Sequence, residues 1–424
     1  MDPGNFIPLA PIAQQALTRL AVASGSAALH ALDGATLLGE RAMRAGLRIP
    51  GRASAGGGCR LFDARGDTIA LNLARSTDRG MLPALFENDR LDGNDDTAIA
   101  ACMGRSDAHA LVTRGRSMGL AIAAEHERWP ALEHTPLFGR NGSAAPWTEL
   151  AAGRRAAAPG AAAPGVATPG SSAAMRSAPR VVDLSALWAG PLAGHLLWLA
   201  GAEVVKVESR SRPDAMRGAE GDFYALINQG KATVGVDLTD ESERRALLSL
   251  IASSDMVIEA ARPRALKQLG IDADRIVRDT PGLVWISITA HGATGEAADW
   301  VGFGDDCGVS GGHSAALRRA TGRTGFVGDA LADPLTGVFA ALAAWEAWAS
   351  GRGARLGLAM SHVVARCLAA AKHENADALQ ACLQVSARLR VTDSVFHRFR
   401  KKDQNFWACR WTAPSSDLAA CCES

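Results

Sequence analysis

The residue type and setting with the most chemical promise is the carboxylate of Asp333, in the run Gly328-Asp329-Ala330-Leu331-Ala332-Asp333-Pro334-Leu335-Thr336-Gly337. Asp at a helix N-cap followed by Pro at the first helical position is ordinary punctuation, because the ring's missing N–H costs nothing there. A carboxylate in that place is also held still and kept ionised by the helix dipole, so capping and catalysis are compatible roles. The helix expected after it carries Leu335, Val338, Phe339, Leu342 and Trp345 on one stripe and ends near Gly351.

Other constellations are weaker. Gly308-Val309-Ser310-Gly311-Gly312 has the G-x-S-x-G spacing of a nucleophile elbow, with His313 next. An elbow needs an apolar strand before it, and Phe303-Gly304-Asp305-Asp306-Cys307 is not one, so a Gly-rich loop is the competing reading. Cys59, Cys102, Cys307, Cys367 and Cys382 are solitary, so no zinc spacing is present and no metal is expected. No G-x-G-x-x-G follows residues 180–184; the loop Ser185-Ala186-Leu187-Trp188-Ala189-Gly190-Pro191 stands there instead. Basic residues recur near expected strand ends, with Arg210, Arg212 and Arg217, then Lys231, then Arg262 and Lys267. A phosphate-rich ligand needs such cations, although scattered surface Arg looks the same.

The elements that position these residues fall into two units. Residues 12–48 read as helical, and 60–62 and 68–73 as strands around Ala64-Arg65-Gly66, with helices through 79–125, which predicts a small α+β unit over 1–150. An Ala/Pro/Gly-rich linker follows over 151–180. Beyond it, strands at 180–184, 203–207, 233–238, 256–258 and 283–288 alternate with helices near 191–200, 240–253 and 263–269. This predicts an α/β fold, a Rossmann-like doubly wound parallel sheet over 181–371, with ligands at the carboxyl ends of the strands. Residues 372–424, with Lys372, Lys401 and Lys402, form a divergent tail assigned to neither unit.

A formal charge of +1 argues against nucleic acid or an anionic membrane as partner. No uninterrupted apolar run reaches a membrane span and the first residues lack a basic signal region, so the expectation is a cytoplasmic protein.

Five segments, VVDLSALWAGPLAGHLLWLAGAEVVKVES, NQGKATVGVDL, SDMVIEAARPRALKQLGID, PGLVWISIT and DALADPLTGVFAALAA, together resemble the family III CoA-transferases, in the family's order. The resemblance implies a Rossmann-like large domain with a smaller domain, an interlocked homodimer, and CoA transfer between an acyl-CoA and a small carboxylic acid. It implies coenzyme A as substrate and no permanently bound cofactor. The family's nucleophilic Asp matches Asp333, with Asp329 as the alternative, and a carboxylate of ordinary pKa needs no separate base. Binding of CoA is implied for Leu187, Trp188, Ala189, Arg210, Lys231, Val236, Ala260, Ala261, Arg262 and Lys267. Ala260-Ala261 replace a frequent Asn-Phe, which reduces the expected adenine contact. Phe303 stands where the related racemases carry a His, which argues against proton transfer at an α-carbon. Residues resembling the family's small domain precede the Asp-bearing block here, a rearranged order, and Gly56-Gly57-Gly58 reads either as an active-site glycine loop or as a plain turn. Alternatives are a racemase or isomerase of the same superfamily, a serine hydrolase using Ser310, and a non-catalytic acyl-CoA-binding relic.

Overall fold

The computed structural model describes residues 7–47, 51–127, 137, 145–156 and 178–389. In chain order the elements that shape the site begin with α1 (Ala10–Ser24), α2 (Gly34–Ala45), β1 (Cys59–Asp63), β2 (Thr68–Asn72), α3 (Asp96–Arg105), α4 (Ala108–Ser117), β3 (Ala121–Ala124) and β4 (Thr148–Arg155). They continue with β5 (Arg180–Asp183), α5 (Ala189–Leu199), β6 (Glu203–Ser209), β7 (Ala232–Val236), α6 (Glu241–Ala252), β8 (Met256–Glu259), α7 (Pro263–Gln268), α8 (Ala273–Asp279) and β9 (Val284–Thr289). The last are α9 (Gly304–Ser310), α10 (His313–Thr321), α11 (Ala332–Ala349), β10 (Arg352–Ala359) and α12 (Met360–Leu389). Among the described residues no helix is long and apolar enough to cross a membrane.

The expected α/β architecture is present. A seven-stranded sheet runs in the order β4-β10-β9-β8-β5-β6-β7, parallel from β10 to β7, with β4 antiparallel at its edge. Side chains alternate between its faces, as the two-residue strand period requires. Val181, Met256, Ile258 and Ile286 meet Leu192, Leu196, Val338 and Leu342 on one face. Val182, Val257 and Trp285 meet Leu247, Ile251 and Val277 on the other. Both faces are covered, which is why these strands read as near-continuous apolar runs. The strand order reverses between β5 and β8, and a doubly wound sheet opens its binding crevice at such a point, beyond the carboxyl ends.

The smaller antiparallel sheet, β1-β2-β3, puts Ile69, Leu71 and Ile122 against Ile99, Met103 and Leu111. Its other face carries Cys59, Leu61 and Ala70 onto Val309 of α9 and Phe326. β3 lies within the stretch expected to be helical, because Ala121–Ala124 pairs with β2 and tertiary pairing overrides the weak strand preference of Ala.

The expected boundaries need correction at three places. Helices α1 and α2 pack into the core of the large sheet, through Ile12, Leu17, Leu20, Leu37 and Leu38, rather than into the small unit. Residues 151–155, expected as linker, complete β4, whose backbone pairs with β10 from Arg352 to Gly357. Residues 157–177 of that linker and 390–424 of the tail lie outside the described residues. Residue 371 falls inside α12, which breaks only at Asn375, where the side-chain Oδ1 accepts the Ala378 N–H at 2.9 Å.

Helix α11 is buried on nearly every side, not along one stripe, since Ala340, Ala341, Ala343 and Ala344 are as covered as Leu335 and Phe339. It packs on α1, α5, α12, β9 and β10. Gly337 lets it touch the start of α5, where an added Cβ would lie 2.7 Å from the Ala189 carbonyl.

One buried ion pair ties the loop after β5. Lys231 Nζ donates to Asp183 Oδ2 at 2.8 Å, to the Pro191 carbonyl at 2.7 Å and to Asn228 Oδ1 at 2.9 Å. Gly194 leaves room for it, because a Cβ there would stand 2.9 Å from Asp183 Oδ2 and 3.0 Å from the ammonium. Removing one member strands the other in low dielectric. Lys231→Met should therefore lower unfolding free energy by about 3–5 kcal/mol, and Lys231→Met/Asp183→Asn should recover much of it. Denaturant titration checks this; equal midpoints for wild type and the single variant would show that the pair carries no such weight.

Candidate active site

Asp333 is the second residue of α11, not its cap. Leu331 holds the N-cap position, and the Asp333 N–H donates to the Ala330 carbonyl at 2.9 Å. The helix begins earlier than the proline suggests because Ala330 turns with φ 43°, a left-handed conformation unusual for a residue with a Cβ. That turn is held by Asp305 Oδ1, which accepts the Ala330 N–H at 3.1 Å. The Asp333 carboxylate is thus released from capping and lies close against Gly304. Glycine is required there: a Cβ on Gly304 would lie 2.2 Å from Asp333 Oδ2 and 2.4 Å from the Ala330 carbonyl.

Carboxyl groups crowd around this contact. Asp333 is pushed up to about 7, first by loss of water and further by Asp305 and Asp329, against the pull of the Arg41 guanidinium and the Gly304 N–H. Asp305 is pushed up to about 6 by burial and then by Asp329, with Arg41, the Ala330 N–H and the Ser54 hydroxyl opposing. Asp306 is pushed up to about 7 by burial, although the Phe303 N–H and Asn72 Nδ2 both donate to its Oδ1 at 3.0 Å. The expectation that an ordinary carboxylate pKa makes Asp333 fully ionised at neutral pH is therefore corrected; crowding and burial raise it.

Arg41, on α2, enters this cluster from the first part of the chain. Its Nε donates to Asp329 Oδ2 at 2.8 Å and its Nη2 to Oδ1 at 2.5 Å, while Nη1 reaches Glu220 Oε1 at 3.2 Å. The guanidinium lies 5.0 Å from the centre of the Trp188 ring. Gly56 faces it, with a would-be Cβ 3.6 Å from Arg41 Nη2, so the triglycine segment lies beside the cluster and turns at Gly57, φ 73°. Arg41, Ser54 and Asn72 stand in no motif that marks them in the sequence. Arg41 and Asp329 are 288 positions apart, and only the packing of α2 on the large core brings them together.

The residues expected to hold a ligand divide. Leu187 and Ala189 flank the loop after β5, and Ala260 and Ala261 the loop after β8, the two sides of the strand-order reversal. Leu187 is exposed with φ 69°, its N–H shared by both Asp214 carboxylate oxygens at 3.2 and 3.1 Å. The Ala261 N–H donates to Glu259 Oε2 at 2.9 Å. Arg262 is exposed at the start of α7 and lines a cleft of about 1210 Å³ between the two units, with Arg264, Arg116, His126 and Trp300. Lys267 is exposed, 3.9 Å from Asp274. Arg210 is at the surface but held by Glu243 and by the Gly235 carbonyl, and Val236 is buried at the end of β7.

Two expected ligand residues are corrected. Lys231 is buried with its three partners, where burial pushes it down to about 8 against the opposing pull of Asp183, and its ammonium is spent on that carboxylate. Trp188 is only 2% exposed, covered by Arg41 and by Phe223 at 5.1 Å edge to face. Ser310 is corrected as well. It ends helix α9 in neither an elbow nor a loop, and its Oγ donates to Glu127 Oε2 at 2.7 Å. His313 starts the next helix, with its ring against Gly308. Three metal-type donors, His291, Asp306 and Cys307, come within 4.8 Å of one another, with the thiol held protonated by burial.

The Gly304 contact can be tested directly. Gly304→Ala should cost about 1–3 kcal/mol through overpacking against Asp333 and Ala330. Thermal melting measures it, and an unchanged melting temperature would mean that the two segments do not meet this closely.

Similarity to known proteins follows the second part of the chain. The family model described as CoA-transferase family III matches residues 178–423. A probable fatty acyl-CoA transferase of Mycobacterium tuberculosis is 36% identical over 124 residues, covering 27% of this chain and 32% of that protein. A succinate–glutarate CoA-transferase of Agrobacterium fabrum is 30% identical over 210 residues, covering 46% and 52%. A crystal structure of a hypothetical protein from Mycobacterium tuberculosis shares 31% identity with a TM-score of 0.41, over 44% of this chain and 55% of that one. The chain thus spans between about a third and half of the length of the two curated relatives. With its model matched over more than half of the residues, the chain belongs to CoA-transferase family III.

Proposed function

We propose that this protein transfers coenzyme A between an acyl-CoA thioester and a free carboxylic acid, with Asp333 as the nucleophile. The observation that carries the reading is the Asp333 carboxylate itself: it is half-buried, freed from helix capping, and set closely against Gly304 at the start of a helix. Its position in the family-matching region supports the assignment.

The chemistry is a ping-pong exchange. An Asp333 oxygen attacks the thioester carbonyl and expels the CoA thiolate, leaving a mixed anhydride. The thiolate then attacks the aspartyl carbonyl, releasing the first acid and leaving an aspartyl-CoA thioester. The acceptor carboxylate attacks this thioester and expels the thiolate again, which finally attacks the acceptor carbonyl of the new anhydride and restores Asp333. No net proton is gained or lost over the cycle. Backbone N–H groups in the glycine-rich segments facing Asp333 are suited to each oxyanion, an effect worth about 3 kcal/mol per donor.

The CoA moiety is assigned to the crevice where the strand order reverses, between Leu187–Ala189 and Ala260–Arg262, with Lys267 and Arg262 as surface cations. Arg210 serves only if it leaves Glu243. The acyl and acceptor groups face the small unit across the cleft. Hydrolysis at Ser310 is not proposed, since its hydroxyl is given to Glu127 and no strand precedes it.

Asp333→Asn should abolish exchange of labelled acid into CoA ester and abolish hydroxylamine trapping of the acyl-enzyme; exchange at the wild-type rate in that variant removes Asp333 from the mechanism. The pH dependence has a definite sign. With Asp333 pushed up to about 7, the nucleophilic carboxylate is depleted below that pH and complete above it. Exchange should rise roughly tenfold per unit up to about pH 7 and then level off. A profile flat from pH 5 to 8 would return Asp333 to an ordinary carboxylate.

A further inference from the structure

The Asp333 site contains several acids and one guanidinium that they share, and that guanidinium comes from a helix preceding the family-matching region. Arg41 is held on every side that the described residues offer. Two of its nitrogens fork onto both oxygens of Asp329, which is 2% exposed. A third reaches Glu220, and the flat face lies over Trp188, which is itself covered by Phe223. This two-pronged geometry fixes orientation as well as charge, which a lysine ammonium does not reproduce. Asp329 lies in the turn just before α11, four residues ahead of Asp333, and it raises the Asp333 carboxyl, so whatever orients Asp329 also sets the charge beside Asp333.

We infer that Arg41 is a positioning residue of the Asp333 site, locking Asp329 through its forked ion pair and supplying the positive charge opposite the nucleophilic carboxylate. It does not touch the reacting atoms. Its work is electrostatic: without it, three neighbouring acids, Asp305, Asp329 and Asp333, would be left to repel one another with little water to screen them. The direction of the shifts agrees, since Arg41 is the leading influence holding Asp333 down against burial, and it opposes the rise at Asp305 as well. The consequence is that residues 34–45, placed before the large domain in this chain, belong to the machinery of its active carboxylate.

This inference deepens the reading of Asp333 as nucleophile and rests on it for its kinetic readout alone. The test uses the full chain and two measurements: the pH profile of label exchange, and the infrared carboxyl band of Asp333, identified by difference against Asp333→Asn. In Arg41→Met both should move to higher pH by about one unit or more. Arg41→Lys should fall between wild type and Arg41→Met. Asp329→Asn removes an anion and frees the Arg41 charge, so it should move both to lower pH, an opposite displacement that loss of packing alone would not produce. If Arg41→Met fails to fold, the Asp329→Asn and Arg41→Lys shifts decide. Folded variants that titrate at the wild-type pH would overturn the inference. If the wild type shows no exchange, the transferase reading fails, while the infrared titration still decides the role of Arg41.

Discussion

The constraint on which the rest of the structure turns is that Asp305, Asp329 and Asp333 meet at the head of one buried helix. Carboxylates in such a place cannot all be ionised without a cation, because low dielectric magnifies their repulsion and burial removes the water that would screen it. Arg41 answers that need for Asp329 with two hydrogen bonds at 2.8 and 2.5 Å. The remaining imbalance stays on Asp305 and Asp333, whose titration is displaced to about 6 and about 7. A carboxylate tuned close to neutrality is more basic than a free one, and still available in its charged form.

Placing that helix head is the work of the large sheet. Helix α11 is apolar nearly all round and lies among α1, α5 and α12 with small residues at its contacts, so its start has little freedom. Gly337 lets α5 approach it, and α5 in turn begins at the loop after β5, one wall of the crevice where strand order reverses. That loop is anchored from below by Lys231 on Asp183 and, through its backbone, by Asp214 on Leu187. The crevice proposed for CoA and the carboxylate proposed to attack its thioester therefore share one rigid support.

The small sheet contributes from the other side. Ser54 and Asn72 reach Asp305 and Asp306, and Arg116 stacks 4.2 Å over Trp300 while its Nη2 donates to Glu127 at 2.8 Å. These groups precede the large domain in the chain, yet they face it across the cleft. Changing the order of segments along a chain is compatible with such an arrangement as long as the contacts are made, because the energies depend on proximity and not on sequence position.

Much of the architecture was legible in the residues. The five strands from β5 to β9 were found within a few positions, because runs such as Val181-Val182 and Val257-Ile258 are covered on both faces and read as continuous apolar stretches. Strand β10 was missed: Arg352–Ala359 contains Gly and Arg and follows the helix at once, so its signal is weak, and partners on both sides define it. Strand β4 was lost in an Ala-rich stretch for the same reason. Asp333 itself stood out, by its proline and its following helix. What sequence determined, then, was the doubly wound sheet, and it singled out the carboxylate proposed as nucleophile and the loops beside it, since these follow from local periodicity and from motifs contiguous in the chain. Tertiary structure alone decided that Lys231 and Trp188 are buried, that Gly304 meets Asp333, and that Arg41 shares its site. Each of those depends on segments far apart in sequence being brought within a few ångströms, where burial and charge, and not residue type, set the chemistry.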